Sequence, residues 1–170
     1  MIHRTKLHAS RKRLGALLSI ELVIALPILL IVILASVEFT FMLLGSQALT
    51  AAANVGARQA ALPSTSSSQV EDTVYMALSS WRWAQNKNDL AVVVYVDQDD
   101  NGQIENDERV FQTNTLSDAA EVLANAPTGT VVQVTLRLPA PAAAPDLLGI
   151  FPGLSIKGQE LTASFVTRKE

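Results

Sequence analysis

The chain has no cysteine, so disulfides and zinc–thiolate sites are excluded; this leaves the compartment open. Its two histidines, His3 and His8, both lie in the first ten residues, which removes imidazole catalysis and imidazole metal binding from the remaining 160. The first fifteen residues also lack acids. They hold Arg4, Lys6, Arg11, Lys12 and Arg13, leaving eight bases against sixteen acids in the rest of the chain. A basic tip beside an apolar run, on an otherwise acidic body, does not describe a nucleic-acid-binding surface. No nucleophile elbow, phosphate-binding loop or paired-carboxylate signature follows, so the expectation is a protein that is not an enzyme.

What is present begins with an apolar run. Residues 14–45 are apolar except for a few, chiefly Ser19, Glu21, Ser36, Glu38 and Thr40. As a helix those 32 residues span about 48 Å, and a bilayer core takes only about 20 residues. The apolar core of a signal peptide is shorter and ends at a small-x-small cleavage site, and no clean site of that kind interrupts this run. The reading is a retained membrane helix, kinked at Pro27, with its basic flank in the cytoplasm and the body exported. The boundaries read from the sequence are a leader at 1–16, a membrane helix at 17–44, a helical stem at 45–62, a linker at 63–68 and an exported domain at 69–170. In the stem, Ala52, Gly56 and Ala60 recur every four residues, a spacing that admits a second helix at close range. An ordinary alanine-rich helix gives the same pattern.

The domain reads as α+β. A short amphipathic helix opens at the capping-box pair Ser68 and Glu71. Strands follow at 90–96, 109–113, 129–139 and 159–169, with a weak helix or loop at 117–126 and a proline-rich segment at 139–153. The expectation is one helix packed on an antiparallel sheet of about four strands, folding on its own from about Pro63.

Acids within a membrane helix cost about 2.5–3.5 kcal/mol each at its centre, so Glu21 and Glu38 mark partners or function unless they lie at an interface. Around Glu21 the order is Arg11-Lys12-Arg13, Gly15, Glu21, Pro27, Glu38-Phe39 and then "AANVGARQAA" at 52–61. Over about residues 11–61 this resembles the TadE-like family, the minor pilin-like pseudopilins of the tight-adherence (Tad) pilus. The resemblance implies a leader removed by a prepilin peptidase at Gly15, Ala16 and Leu17, with Glu21 as the acid of the prepilin layout behind the cut. Six positions separate Gly15 from Glu21, whereas the prepilin pattern puts the acid fifth after the cut. Cleavage between Ala16 and Leu17 restores that spacing; cleavage after Gly15, or none, remains open. Asn54-Val55 also departs from the Arg-Glu pair frequent in the family. The implied function is assembly of a Tad-type pilus at the inner membrane with other TadE/TadF-like subunits. Glu38, Ala52, Gly56 and Ala60 would be stem or assembly contacts. The alternative is a single-pass protein with a binding or sensing domain unrelated to pili.

One further motif stands apart from the family. "DQDDNGQIENDE" at 97–108 fits the calcium-loop template D-x-[DN]-x-[DN]-G-x5-E at every position. Asp97, Asp99 and Asn101 would offer side-chain oxygens, Gln103 its carbonyl, Glu105 a water-mediated contact and Glu108 a bidentate carboxylate. Oxygen donors at this spacing suit calcium, held weakly and structurally. The flanking segments are strands rather than EF-hand helices, and a solvated Asp/Asn/Gly hairpin turn explains the same composition.

Overall fold

The computed structural model describes residues 8–81, 83, 88–113, 120–151 and 153–170. Helix α1 runs unbroken over His8–Ala61 with Pro27 inside it. Its 54 residues measure about 81 Å. Up to residue 44 its described side chains are mostly exposed. From Gly45 onward one face is buried: Ala48, Leu49, Ala52, Ala53, Ala57, Ala60 and Ala61 all belong to the interior.

The chain then reverses within a few residues. Leu62 donates its N–H to the Gln59 carbonyl, Ser64 takes a left-handed conformation (φ 56°), and Thr65 is buried. Helix α2 spans Ser67–Ala77. Its cap is Ser66, two residues ahead of the position read from the sequence: Ser66 Oγ accepts the Gln69 N–H, and Gln69 Oε1 accepts the Ser66 N–H at 3.0 Å. Residues 62–66 therefore form the tight turn of a helical hairpin, and 67–68, expected as the end of a linker, open α2. Val70, Val74 and Leu78 are buried at helical spacing, and Gly56 of α1 lets α2 approach closely, since a Cβ there would sit 2.7 Å from Val74 Cγ2.

The sheet has four antiparallel strands in the order β2-β1-β3-β4: β1 (Ala91–Val96), β2 (Arg109–Gln112), β3 (Val131–Pro139) and β4 (Glu160–Arg168). All four expected strands are present within a residue or two of the boundaries read from the sequence. A six-residue helix, α3 (Ala120–Asn125), connects β2 to β3, and residues 117–119 of the expected helix-or-loop lie outside the described residues. Helix α4 (Ala140–Ala143) is the single turn within the proline-rich segment.

Side chains alternate across the strands. Val92, Val94 and Val96 of β1, Val132, Val134, Leu136 and Leu138 of β3, and Ala163 of β4 join the stem and α2 in one core. Full burial of a Val or Leu side chain contributes roughly 1.5–3 kcal/mol, so sheet and helices depend on each other for most of their stability. The stem helix is one wall of this core. The domain expected to fold alone from about Pro63 is thus incomplete without residues 45–61. The tail closes the same end: the Glu170 N–H reaches the Ala61 carbonyl at 2.8 Å and Lys169 Nζ the Ala60 carbonyl at 3.3 Å, which satisfies acceptors left open where α1 stops.

Candidate functional site: an acidic hairpin loop on a stalked head

The loop between β1 and β2 takes its shape from its own acids. Asp97 directly follows β1 and is only 2% exposed. Its Oδ2 accepts the Gly102 N–H at 2.8 Å and its Oδ1 the Asn101 N–H at 3.3 Å. Asp99 Oδ1 accepts the same Asn101 N–H, and Asn101 Oδ1 accepts the Gln103 N–H. At the far end Glu108 is buried in a short 3-10 turn, Asn106–Glu108, where Oε1 takes the Gln98 N–H and Oε2 the Glu105 N–H, both at 2.9 Å. The chain can fold this tightly because Gly102 adopts φ 76° and Asp100 φ 56°. A bulge at Val110, between the pairs Val94–Phe111 and Tyr95–Arg109, lets β2 meet the turn.

The result brings carboxylate oxygens of Asp97, Asp99 and Glu108 within 4.8 Å of one another. The backbone N–H bonds offset part of their mutual repulsion and orient the groups, while each oxygen keeps a second acceptor site. Calcium bound at 2.3–2.6 Å from each oxygen needs ligand atoms at about this separation. Of the other expected ligands, Asn101 and Gln103 lie on the same turn, and Glu105 is exposed with its N–H on Glu108. An open cleft of about 630 Å³ lies beside the loop; among the described residues its lining includes Asp97, Asp100 and Glu121 and no basic residue. It is therefore unsuited to an anionic ligand.

The residues expected to serve processing and assembly lie along α1. Gly15, Ala16 and Leu17 are in helical backbone, and residues 1–7 of the leader lie outside the described residues. Glu21 is exposed among exposed Ile20, Leu22 and Val23. The assembly contacts need correction. Ala52, Gly56 and Ala60 are buried in the protein's own core, so their close-packing face is occupied by α2 and the sheet rather than open to a neighbour. Glu38 is 4% exposed and accepts the Leu148 N–H at 3.0 Å. Its partner is the protein's own proline-rich segment, 110 residues away. The sequence carried no signal for Leu148, because a backbone donor has no side-chain signature. Asp146, which accepts from the Ser155 hydroxyl (2.8 Å) and the Ile156 N–H (3.3 Å), was likewise missed.

An apolar helix that enters an α+β head and serves as part of its core defines a stalked protein. Among the described residues α1 alone is long and apolar enough to cross a membrane, over Ile20–Ala61. Its segment 18–58 matches the family model described as TadE-like protein, the family that the pattern at 11–61 resembles. Neither curated proteins nor solved structures give a match. The matched segment covers both the exposed and the buried stretch of α1.

Proposed function

We propose that the protein is a minor pilin-like, non-enzymatic assembly component of a Tad-type pilus. It would be anchored in the inner membrane by α1, with its basic tip in the cytoplasm and its head exported. The observation that carries this reading is the TadE-like match on a helix whose residues 20–44 are mostly apolar and exposed and whose residues 45–61 are locked into a head. A prepilin peptidase cuts between Ala16 and Leu17, and the new amine of one subunit pairs with Glu21 of another. An acid in lipid costs about 2.5–3.5 kcal/mol unless paired, so a subunit out of register is penalised by that amount. Two measurements test this. Intact mass after co-expression with a prepilin peptidase should lose the leader; an unchanged mass favours a plain single-pass anchor. Glu21→Ala should strongly reduce pilus formation and recovery of other Tad subunits in pull-downs, and unimpaired assembly removes the pairing role.

The 97–108 loop adds a structural calcium site to the same reading, supported by the template match and the convergence of Asp97, Asp99 and Glu108. The ion would pin the β1–β2 hairpin with an affinity of roughly 10⁻⁴–10⁻³ M. Calcium should raise the melting temperature of the detergent-solubilised full chain, and Glu108→Gln should abolish that rise. No shift at about ten times 1 mM calcium leaves a hydrogen-bonded turn only.

A further inference from the structure

The proline-rich segment does more than return the chain to β4. It is fixed to α1 at three levels. Ala143 meets α1 at Gly45, where an added Cβ would lie 3.0 Å from the Ala143 Cβ. Ala140, Ala144 and Ile156 form a small separate core against Met42. Leu148 is bonded to Glu38. Residues 45, 42 and 38 descend α1 on one face, and half-buried Ala35 and Ile31 continue it. The segment therefore runs back along the helix, away from the sheet. Its base is closed by Asp146 holding Ser155 and Ile156, and its turn by Phe151 N–H to Leu148 O (2.9 Å) and Leu154 N–H to Phe151 O (3.2 Å). On this bonded scaffold Ile150 is 76% exposed and Leu154 47% exposed.

Depth along α1 says what covers them. A bilayer core takes about 20 helical residues. Counted from Leu14 or Leu17, such a span ends near residue 33 or 36, within a turn or so of Glu38. Beyond it, on the faces that the proline-rich segment leaves uncovered, α1 still exposes large apolar side chains, Val37, Phe39, Phe41, Leu43 and Leu44, with Ser36 and Thr40 beside them. Large apolar side chains on more than one face of a helix need apolar cover on those faces at once. A partner on one of these faces would leave the others bare, whereas lipid covers all that the protein's own segment does not. The loop is bonded to α1 at this level through Leu148 and Glu38, and Lys157 is exposed just after Ile156. Glu38 at this level is taken up by a backbone N–H, which removes the acid from the lipid-facing surface.

We propose that loop 145–156 is a membrane-contacting element, with Ile150 and Leu154 inserted in the interfacial layer of the head-side leaflet, so that the head rests on the bilayer at fixed depth instead of swinging on its helix. This rests on α1 spanning the membrane, and the test separates the two. The cysteine-free chain allows single-site labelling. Full-length Ile150→Cys, Val23→Cys and Met76→Cys proteins carry the fluorophore NBD in phosphatidylcholine/phosphatidylglycerol vesicles with doxyl groups near the head of the acyl chain. All three positions are well exposed, so substitution spares the fold. The expected result is strong quenching at 23, several-fold stronger quenching at 150 than at 76, and a blue-shifted emission at 150. Quenching at 23 with position 150 behaving like 76 overturns the loop proposal and leaves the anchor. No quenching at 23 overturns the anchor and the loop together. A blue shift at 150 that ignores doxyl lipid and grows with protein-to-lipid ratio means a second copy covers the tip, which also overturns contact with lipid.

Discussion

The two halves of α1 are the same secondary structure in two solvents. Residues 20–44 carry large side chains, among them Leu22, Val23, Ile24, Ile28, Leu29 and Phe39, nearly all exposed. Residues 45–61 carry Gly45, Gly56 and seven alanines along with Leu49, and their inner face is fully buried. Large side chains maximise contact with lipid, whereas small ones bring backbones together. Hydropathy alone reports one continuous apolar helix over Ile20–Ala61; side-chain volume divides it. The Ala/Gly pattern that elsewhere signals contact between subunits here serves contact within one.

The sharpest way to break this division is to cut the chain at it. A fragment starting at Gly45 keeps Leu49 and the alanine wall; one starting at Pro63 exposes Val70, Val74, Leu78 and Val134 to water. At roughly 1.5–3 kcal/mol for each large side chain left uncovered, the loss approaches or exceeds the whole stability of a typical domain, about 5–15 kcal/mol. The fragment from 45 should melt cooperatively with native near-ultraviolet circular dichroism, and the fragment from 63 should show neither. Cooperative melting of the shorter fragment would mean the stem is an appendage.

A smaller effect comes from adding one methyl group to the wall. Gly→Ala within a helix ordinarily stabilises by about 0.5–1 kcal/mol. At Gly56 the new Cβ would meet Val74 Cγ2 at 2.7 Å, and overpacking costs about 1–3 kcal/mol. The second term is the larger, so Gly56→Ala should lower the urea midpoint of the detergent-solubilised full chain, and Gly56→Leu should lower it further. Leu29→Ala, in the exposed half, should leave the unfolding of the head unchanged. Equal effects at the two sites would erase the distinction between the halves.

Much of the head was legible because its signals are local. The β-branched run at 91–96 and the alternation at 131–139 give strands almost to the residue, and the loop at 97–108 declares its oxygens by spacing. The family segment was legible from the order of its features. What was not legible is tertiary. A period of four in small residues states that something approaches closely and does not state whose chain it belongs to, so Ala52, Gly56 and Ala60 read equally well as an assembly face. Glu38 read as a partner-seeking acid because its acceptor role is met by a backbone N–H 110 residues distant. The cap misread is narrower: Ser66 and Ser68 both open capping-box patterns, and Gln69 bonding back to Ser66 decides between them.

The smallest predicted effect tests how firmly the buried half is sealed at its end. Lys169 is buried with its ammonium on the Ala60 carbonyl, and loss of hydration holds its pKa below the ordinary 10.5. The folded protein therefore releases this proton before the unfolded chain does. Across the window ending at 10.5 the unfolded state binds more protons, so this group's contribution to stability rises with pH. Tyr75 acts in the opposite sense: burial first, then Glu71, raises its pKa above 10.0, so above that pH the unfolded chain loses the proton first and stability falls. The two effects separate by comparing the full chain with Lys169→Met between pH 8 and 10. The urea midpoint of the parent should gain on that of the variant as pH rises, because only the parent sheds a charge held away from water. A midpoint difference constant across that range would mean that Lys169 keeps its hydration and that the end of the stem is open to solvent.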